Sequence, residues 1–128
     1  MTRIGLATFC ATALVLAAVP LAHAETIFVS NEKDNTITVL DGVTMETIDT
    51  IETSRRPRGI VLSPDNKELF VAAGDGDIID VIDTKTLKIT RQLESGPDPE
   101  LMDIDPDGKI IYIGSHLGKH EHGTYYRQ

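Results

Sequence analysis

Four charged side chains stand at matching places in two stretches of the chain, with a fifth, Arg55, beside them. Arg55, Arg56 and Arg58 open the run R-R-P-R-G-I-V-L-S-P-D-N-K-E-L-F, and Asp98 and Glu100 open G-P-D-P-E-L-M-D-I-D-P-D-G-K-I-I-Y from Gly96 to Tyr112. Arg56 aligns with Asp98 and Arg58 with Glu100, 42 positions apart. Guanidiniums bind carboxylates and similar anions through paired N–H donors, so loops of alternating charge could hold an anionic or polar ligand. The same four residues, Arg56, Arg58, Asp98 and Glu100, could instead pair with one another, Arg58 with Glu100 for instance. That structural use is the favoured expectation.

Other chemistry is less well supported. His116, His120 and His122 beside Glu121 have spacings that can reach one metal ion. They lie in a tail that departs from the rest of the chain, and a polyhistidine-like affinity is the expectation there, not a native metal site. Asp65, Asp105 and Asp107 sit in Ser-Pro-Asp-Asn and Asp-Pro-Asp-Gly, which are turn sequences without EF-hand spacing. Gly74-Asp75-Gly76 reads as a hairpin turn without the strand-to-helix context of a phosphate loop. No serine stands in Gly-x-Ser-x-Gly, and no histidine lies between His23 and His116, so a Ser-His-Asp site has no histidine to use. No catalytic residue and no cofactor is expected.

The elements that must position these residues recur at the same interval. Pro57 matches Pro99, Leu62 matches Ile104, Pro64 matches Pro106, and Phe70 matches Tyr112. Ile27-Phe28-Val29 matches Leu69-Phe70-Val71, and Ile37 to Asp41 matches Ile79 to Asp83. A fixed period of this size marks repeated supersecondary units. Strands are expected at Thr26–Ser30, Thr36–Leu40, Glu46–Glu52, Gly59–Leu62, Glu68–Ala73, Ile78–Asp83, Lys88–Glu94, Leu101–Ile104 and Ile110–Gly114. Gly59 to Leu62 is short, small and apolar, the pattern of an inner strand buried on both faces. Four short strands per unit match a β-propeller blade. The fold class is therefore all-β: a partial β-propeller of about two and a half four-stranded antiparallel blades, in residues 25–114.

Composition sets further bounds. Aromatics are 5% of the 128 residues and tryptophan is absent, so the core must be aliphatic. The net charge of −8 makes nucleic acid an unsuitable partner. Residues 1–24 read as a secretory signal peptide: a short basic start at Arg3, an apolar run from Ile4 to Val19, and the small-x-small site Ala22-His23-Ala24. The run is short for a membrane span. The only cysteine, Cys10, lies within it, behind Phe9 where a lipoprotein would have a small residue. A mature chain from Glu25 would hold no thiol. It is expected in the periplasm or outside the cell.

Phe28-Val29-Ser30-Asn31, Asn35 to Asp41 and Ser63-Pro64-Asp65-Asn66-Lys67 resemble the YVTN-type β-propeller repeat. Arg56-Pro57-Arg58-Gly59 and Gly96-Pro97-Asp98-Pro99-Glu100 resemble its secreted subgroup associated with pyrroloquinoline quinone (PQQ)-dependent catabolism. The resemblance implies a secreted, non-catalytic binding or scaffold protein, an accessory of periplasmic PQQ-dependent alcohol oxidation, with the dehydrogenase system as partner. It does not imply that the chain binds PQQ. Two other readings are a lactonase-like propeller hydrolase when full length, and a cell-surface YVTN repeat protein. Propellers close with four to eight blades, so open strand edges would favour self-association.

The tail at 115–128 leaves the repeat. A one-base forward shift of the codons for Gly118 to Gln128 permits E-N-T-N-M-V-L-I-I-D, which matches Glu32 to Asp41. A frameshift within a longer propeller is the expectation, and the chain would then be a fragment.

Overall fold

The structure is a computed structural model that describes residues 25–115 and 124–127. It contains ten strands: β1 (Thr26–Asn31), β2 (Thr36–Asp41), β3 (Thr47–Glu52), β4 (Pro57–Leu62), β5 (Glu68–Ala73), β6 (Ile78–Asp83), β7 (Lys88–Glu94), β8 (Pro99–Ile104), β9 (Ile110–Ser115) and β10 (Thr124–Arg127). A single 3-10 turn, Gly74–Gly76, joins β5 to β6. All strand pairs are antiparallel. The chain is a partial β-propeller.

The repeat units of the sequence and the sheets are cut at different places. The sheets run β1-β2-β3, then β4-β5-β6-β7, then β8-β9-β10. Thus β4, the last strand of the first sequence unit, pairs with β5 of the second. Only the middle sheet has four strands, and the flanking sheets have three each among the described residues. Each unit is thereby covalently stitched across a sheet boundary.

Register irregularities also repeat. The β2–β3 ladder shifts between Val39 and Leu40, and the β6–β7 ladder between Val81 and Ile82. Such bulges bend a strand and increase its twist. The tail supplies β10, which pairs with β9. Phe70 faces Val81 across the middle sheet, so the repeat would set residue 123 opposite Tyr112, but Tyr125 stands there, two positions later.

Side-chain alternation explains the packing. Ile37, Val39 and Ile51 of the first sheet meet Leu69, Val71 and Ile82 of the second. The opposite face of the second sheet, with Phe70, Ala72, Ile79 and Val81, meets Ile111 and Ile113 of the third. The middle sheet is therefore apolar on both faces, as a stacked sheet must be.

Two expectations need correction. The inner strands begin at Pro57 and Pro99, not at Gly59 and Leu101. Proline has no N–H to place in a ladder, and the first position of a strand tolerates that. The strand buried on both faces is β5, in which Leu69 to Ala73 are all buried, whereas Gly59 to Leu62 are half-buried. The cause is position: β4 is an edge strand of its sheet, and β5 has a strand on either side.

Candidate functional site

The loops entering β4 and β8 share the turn just before the proline, although Gly96 is left-handed (φ 77°) and its counterpart Ser54 is not. Arg56 and Asp98 are both left-handed, with φ of 63° and 46°. The Arg56 amide donates to Asn35 Oδ1 at 2.8 Å, and the Asp98 amide donates to Asp77 Oδ1 at 2.9 Å. Asn35 and Asp77 are themselves left-handed, a conformation that Asn and Asp tolerate better than other side chains. Their carbonyls accept the Thr53 and Ser95 amides at 2.9 and 3.0 Å. Pro57 and Pro99 are buried beneath.

This backbone brings all four sequence-predicted residues together. Arg58 Nη1 lies 3.3 Å from Glu100 Oε1, so the expected ion pair joins the second and third sheets. Asp98 Oδ1 lies 3.3 Å from Arg56 Nη1 and 3.7 Å from Arg58 Nη1. Two further carboxylates complete the network. Glu32 Oε1 accepts from Arg56 Nε at 3.2 Å and from Arg58 Nε at 3.1 Å. Asp75 Oδ1 accepts from Arg56 Nη1 at 3.1 Å, and Asp75 Oδ2 lies 3.6 Å from Arg55 Nη2.

The electrostatics follow from these contacts. Hydrogen bonds from Arg58 and Arg56 hold the Glu32 carboxyl below its ordinary pKa. Hydrogen bonds to Asp75 and Glu32 raise that of Arg56. Arg58 Nη1 and Asp98 Oδ1 are closed off from solvent and complete no hydrogen bond among the described residues. They are held by charge and not by aligned donors. Beside the network opens a cavity of about 290 Å³, lined by Glu32, Lys33, Asn35, Arg55, Arg56 and Asp75.

The remaining candidates take other places. His116, His120 and His122 lie outside the described residues. Among the described residues no group of three or more His, Cys, Asp or Glu side chains is poised around a metal ion. Asp65 and Asp105 fasten turns. Ser63 Oγ accepts the Lys67 and Glu68 amides at 3.1 and 3.0 Å. One unit later Asp105 Oδ1 accepts the Lys109 and Ile110 amides at 2.7 and 2.9 Å. Lys67 and Ser63 bring the Asp65 carboxyl down to about 2, and Asp105 and Lys109 do the same to Asp107.

Sequence reasoning placed Asp75 in a hairpin turn only and gave Glu32 no role. The antiparallel pairing was the available signal, because it sets the β1–β2 and β5–β6 turns at the same end of the sheets as the strand-entry loops. It also missed Asp80, a fully buried carboxylate that accepts from the Ser54 amide at 2.7 Å, Ser54 Oγ at 2.9 Å and Gln92 Nε2 at 2.7 Å. The signal there was an acid at an alternating core position, where the first unit has Thr38.

The family model for YNCE-like β-propellers matches residues 3–127. The chain belongs to this family. No curated protein matches it by sequence. Among solved structures, a Kuenenia stuttgartiensis hydrazine synthase is 26% identical with a TM-score of 0.68, over 70% of this chain and 26% of that one. The dihydro-heme d1 dehydrogenase NirN is 24% identical with a TM-score of 0.64, over 80% of this chain and 23% of that one. A protein of unknown function from Desulfotomaculum acetoxidans is 19% identical with a TM-score of 0.61, over 70% of this chain and 31% of that one. The latter two likenesses show the fold alone. This YNCE-like chain spans about a quarter to a third of the structures that it matches.

Proposed function

We propose that this chain is a secreted or periplasmic, non-catalytic propeller protein that acts as a binding or scaffold component, and that its partner is a PQQ-dependent alcohol-oxidising system. The carrying observation is the seam between the second and third sheets. There Arg56 and Arg58 are engaged by the carboxylates of Asp98 and Glu100 at 3.3 to 3.7 Å. Groups so engaged fix one blade against the next, and a rigid array of blades is what a scaffold requires. The partner class comes from the resemblance of the two entry loops to the PQQ-associated subgroup.

Three measurements test the reading. The chain expressed with its leader should appear in the periplasmic fraction of a Gram-negative host. Biolayer interferometry against a purified PQQ-dependent alcohol dehydrogenase should give saturable binding, and a flat response overturns the accessory role. The double reversal R58E/E100R should keep the fold and the partner binding if the seam is structural. A folded double variant that no longer binds would move these residues into the recognition surface itself.

A further inference from the structure

We propose that the cavity beside Glu32 is a binding site for a small organic carboxylate, and that Glu32 holds its anion position until a ligand carboxylate takes it. One oxygen, Glu32 Oε1, accepts from both Arg56 Nε at 3.2 Å and Arg58 Nε at 3.1 Å. This is the geometry of an anion held between two guanidiniums, and here a turn side chain supplies it. The two partners differ in exposure. The Glu32 side chain is 48% exposed, whereas that of Arg58 is 17% exposed and tied to Asp98 and Glu100 as well. Exposed ion pairs are held weakly, so the carboxylate can swing out while the guanidinium stays.

The surroundings favour an incoming anion. Three cations, Lys33, Arg55 and Arg56, line the cavity against two carboxylates, Glu32 and Asp75. The lining thus carries one more positive than negative charge in a chain of net charge −8, with Asp98 behind Arg56 at 3.3 Å. Lys33 makes no ion pair among the described residues, and Arg55 reaches only Asp75 there, at 3.6 Å. A ligand carboxylate that replaced Glu32 between the arginines would leave these two cations for a second polar or anionic group. The cavity volume of about 290 Å³ suits a small acid and not a macromolecule. The site shares Arg56 and Arg58 with the seam but needs no protein partner, so its test is separate from that of the accessory role.

The test is isothermal titration of the full chain with succinate, with sulfate and neutral succinamide as comparison arms. Glu32→Gln should bind succinate at least about tenfold more tightly than the parent chain. Adding Lys33→Gln to it should remove most of the gain, and succinamide should not bind. Equal succinate affinity in E32Q and the parent overturns the proposal. An equal gain for sulfate overturns the carboxylate class and leaves a general anion site. Should E32Q lose its strand signal in circular dichroism, K33Q alone carries the test. Lys33 is exposed and outside the seam, so K33Q should fold and bind succinate at least about threefold more weakly than the parent. Unchanged affinity in K33Q counts against the site.

Discussion

The loop entering β4 and the loop entering β8 share the turn before their proline and carry charges of opposite sign on either side of it. Each has a left-handed residue, then a buried proline, then a charged residue. In each, the amide of the left-handed residue donates to the side-chain oxygen of an Asn or Asp in a neighbouring turn. The first loop is Arg56-Pro57-Arg58 and the second is Asp98-Pro99-Glu100. A repeated backbone thus delivers complementary side chains to the same side of neighbouring sheets. Duplication supplies the geometry, and the reversal of sign makes the two copies attract.

Reversing Arg58 should break this arrangement most severely. Arg58→Glu would set a fourth carboxylate among Glu32, Asp98 and Glu100, with Asp98 only 8% exposed. Asp98 would keep only Arg56, at 3.3 Å, and breaking up a largely buried charge group in this way typically costs about 3 kcal/mol. Thermal melts followed at a strand wavelength should show that loss. The double variant R58E/E100R should recover only part of it, because Glu32 and Asp98 still face position 58. Full recovery would mean that Arg58 and Glu100 form an isolated pair and that the network is not a unit.

The two inner strands also differ where they touch. A Cβ on Gly59 would lie 2.5 Å from the Glu100 carbonyl oxygen and 3.1 Å from Leu101 Cα, so β4 and β8 approach too closely for a side chain. At the matching place β8 carries Leu101, which is 69% exposed. Gly59→Ala should therefore cost roughly 2 kcal/mol through displaced backbone, by the measure of overpacked cores. Leu101→Ala should change the melting midpoint little.

The contrast between repeat and seam shows what the sequence made legible. Hydrophobic alternation at a constant 42-residue interval fixed strand order, and β5, β6 and β7 end where the pattern expects. It also put Arg58 against Glu100, since residues at one place in successive units must be neighbours. Sheet membership was hidden, because pairing of β4 with β5 or with β3 leaves the same residues apolar. The roles of Glu32 and Asp75 were hidden for a similar reason. A turn residue reads as solvated until the turn is placed beside the loop that it meets. Asp80 broke the apolar pattern visibly, but Ser54 and Gln92, which satisfy it, lie far away in sequence.

A smaller disturbance should come from Gly74, the turn residue that lies against the seam. Its Cβ would meet Asp98 Oδ1 at 2.9 Å and Arg56 Nη1 at 3.7 Å. Gly74→Ala should cost about 1 kcal/mol, by crowding the carboxylate away from both guanidiniums. Gly76 in the same turn would meet only the flexible Ile78 side chain, at 3.2 Å. Gly76→Ala should therefore cost less, and an equal loss in the two variants would show that the turn matters and not the contact with Asp98.

The smallest effect belongs to the turns and separates them from the seam by pH. The Asp65 carboxyl is brought down to about 2 by the Lys67 and Ser63 hydrogen bonds. A carboxyl whose pKa is lower folded than unfolded stabilises the fold above its unfolded value, near 3.9. That contribution is lost as pH falls from about 4 through 2. Asp65→Asn has no such proton to gain, so its stability should fall less steeply over this interval than that of the parent. Asp107, also brought down to about 2, should behave alike. Chemical denaturation midpoints at pH 5 and pH 2.5 measure the difference. If D65N and the parent lose stability in parallel, the acid sensitivity resides in the seam, where protonation of Glu32 would release both arginines from one carboxylate.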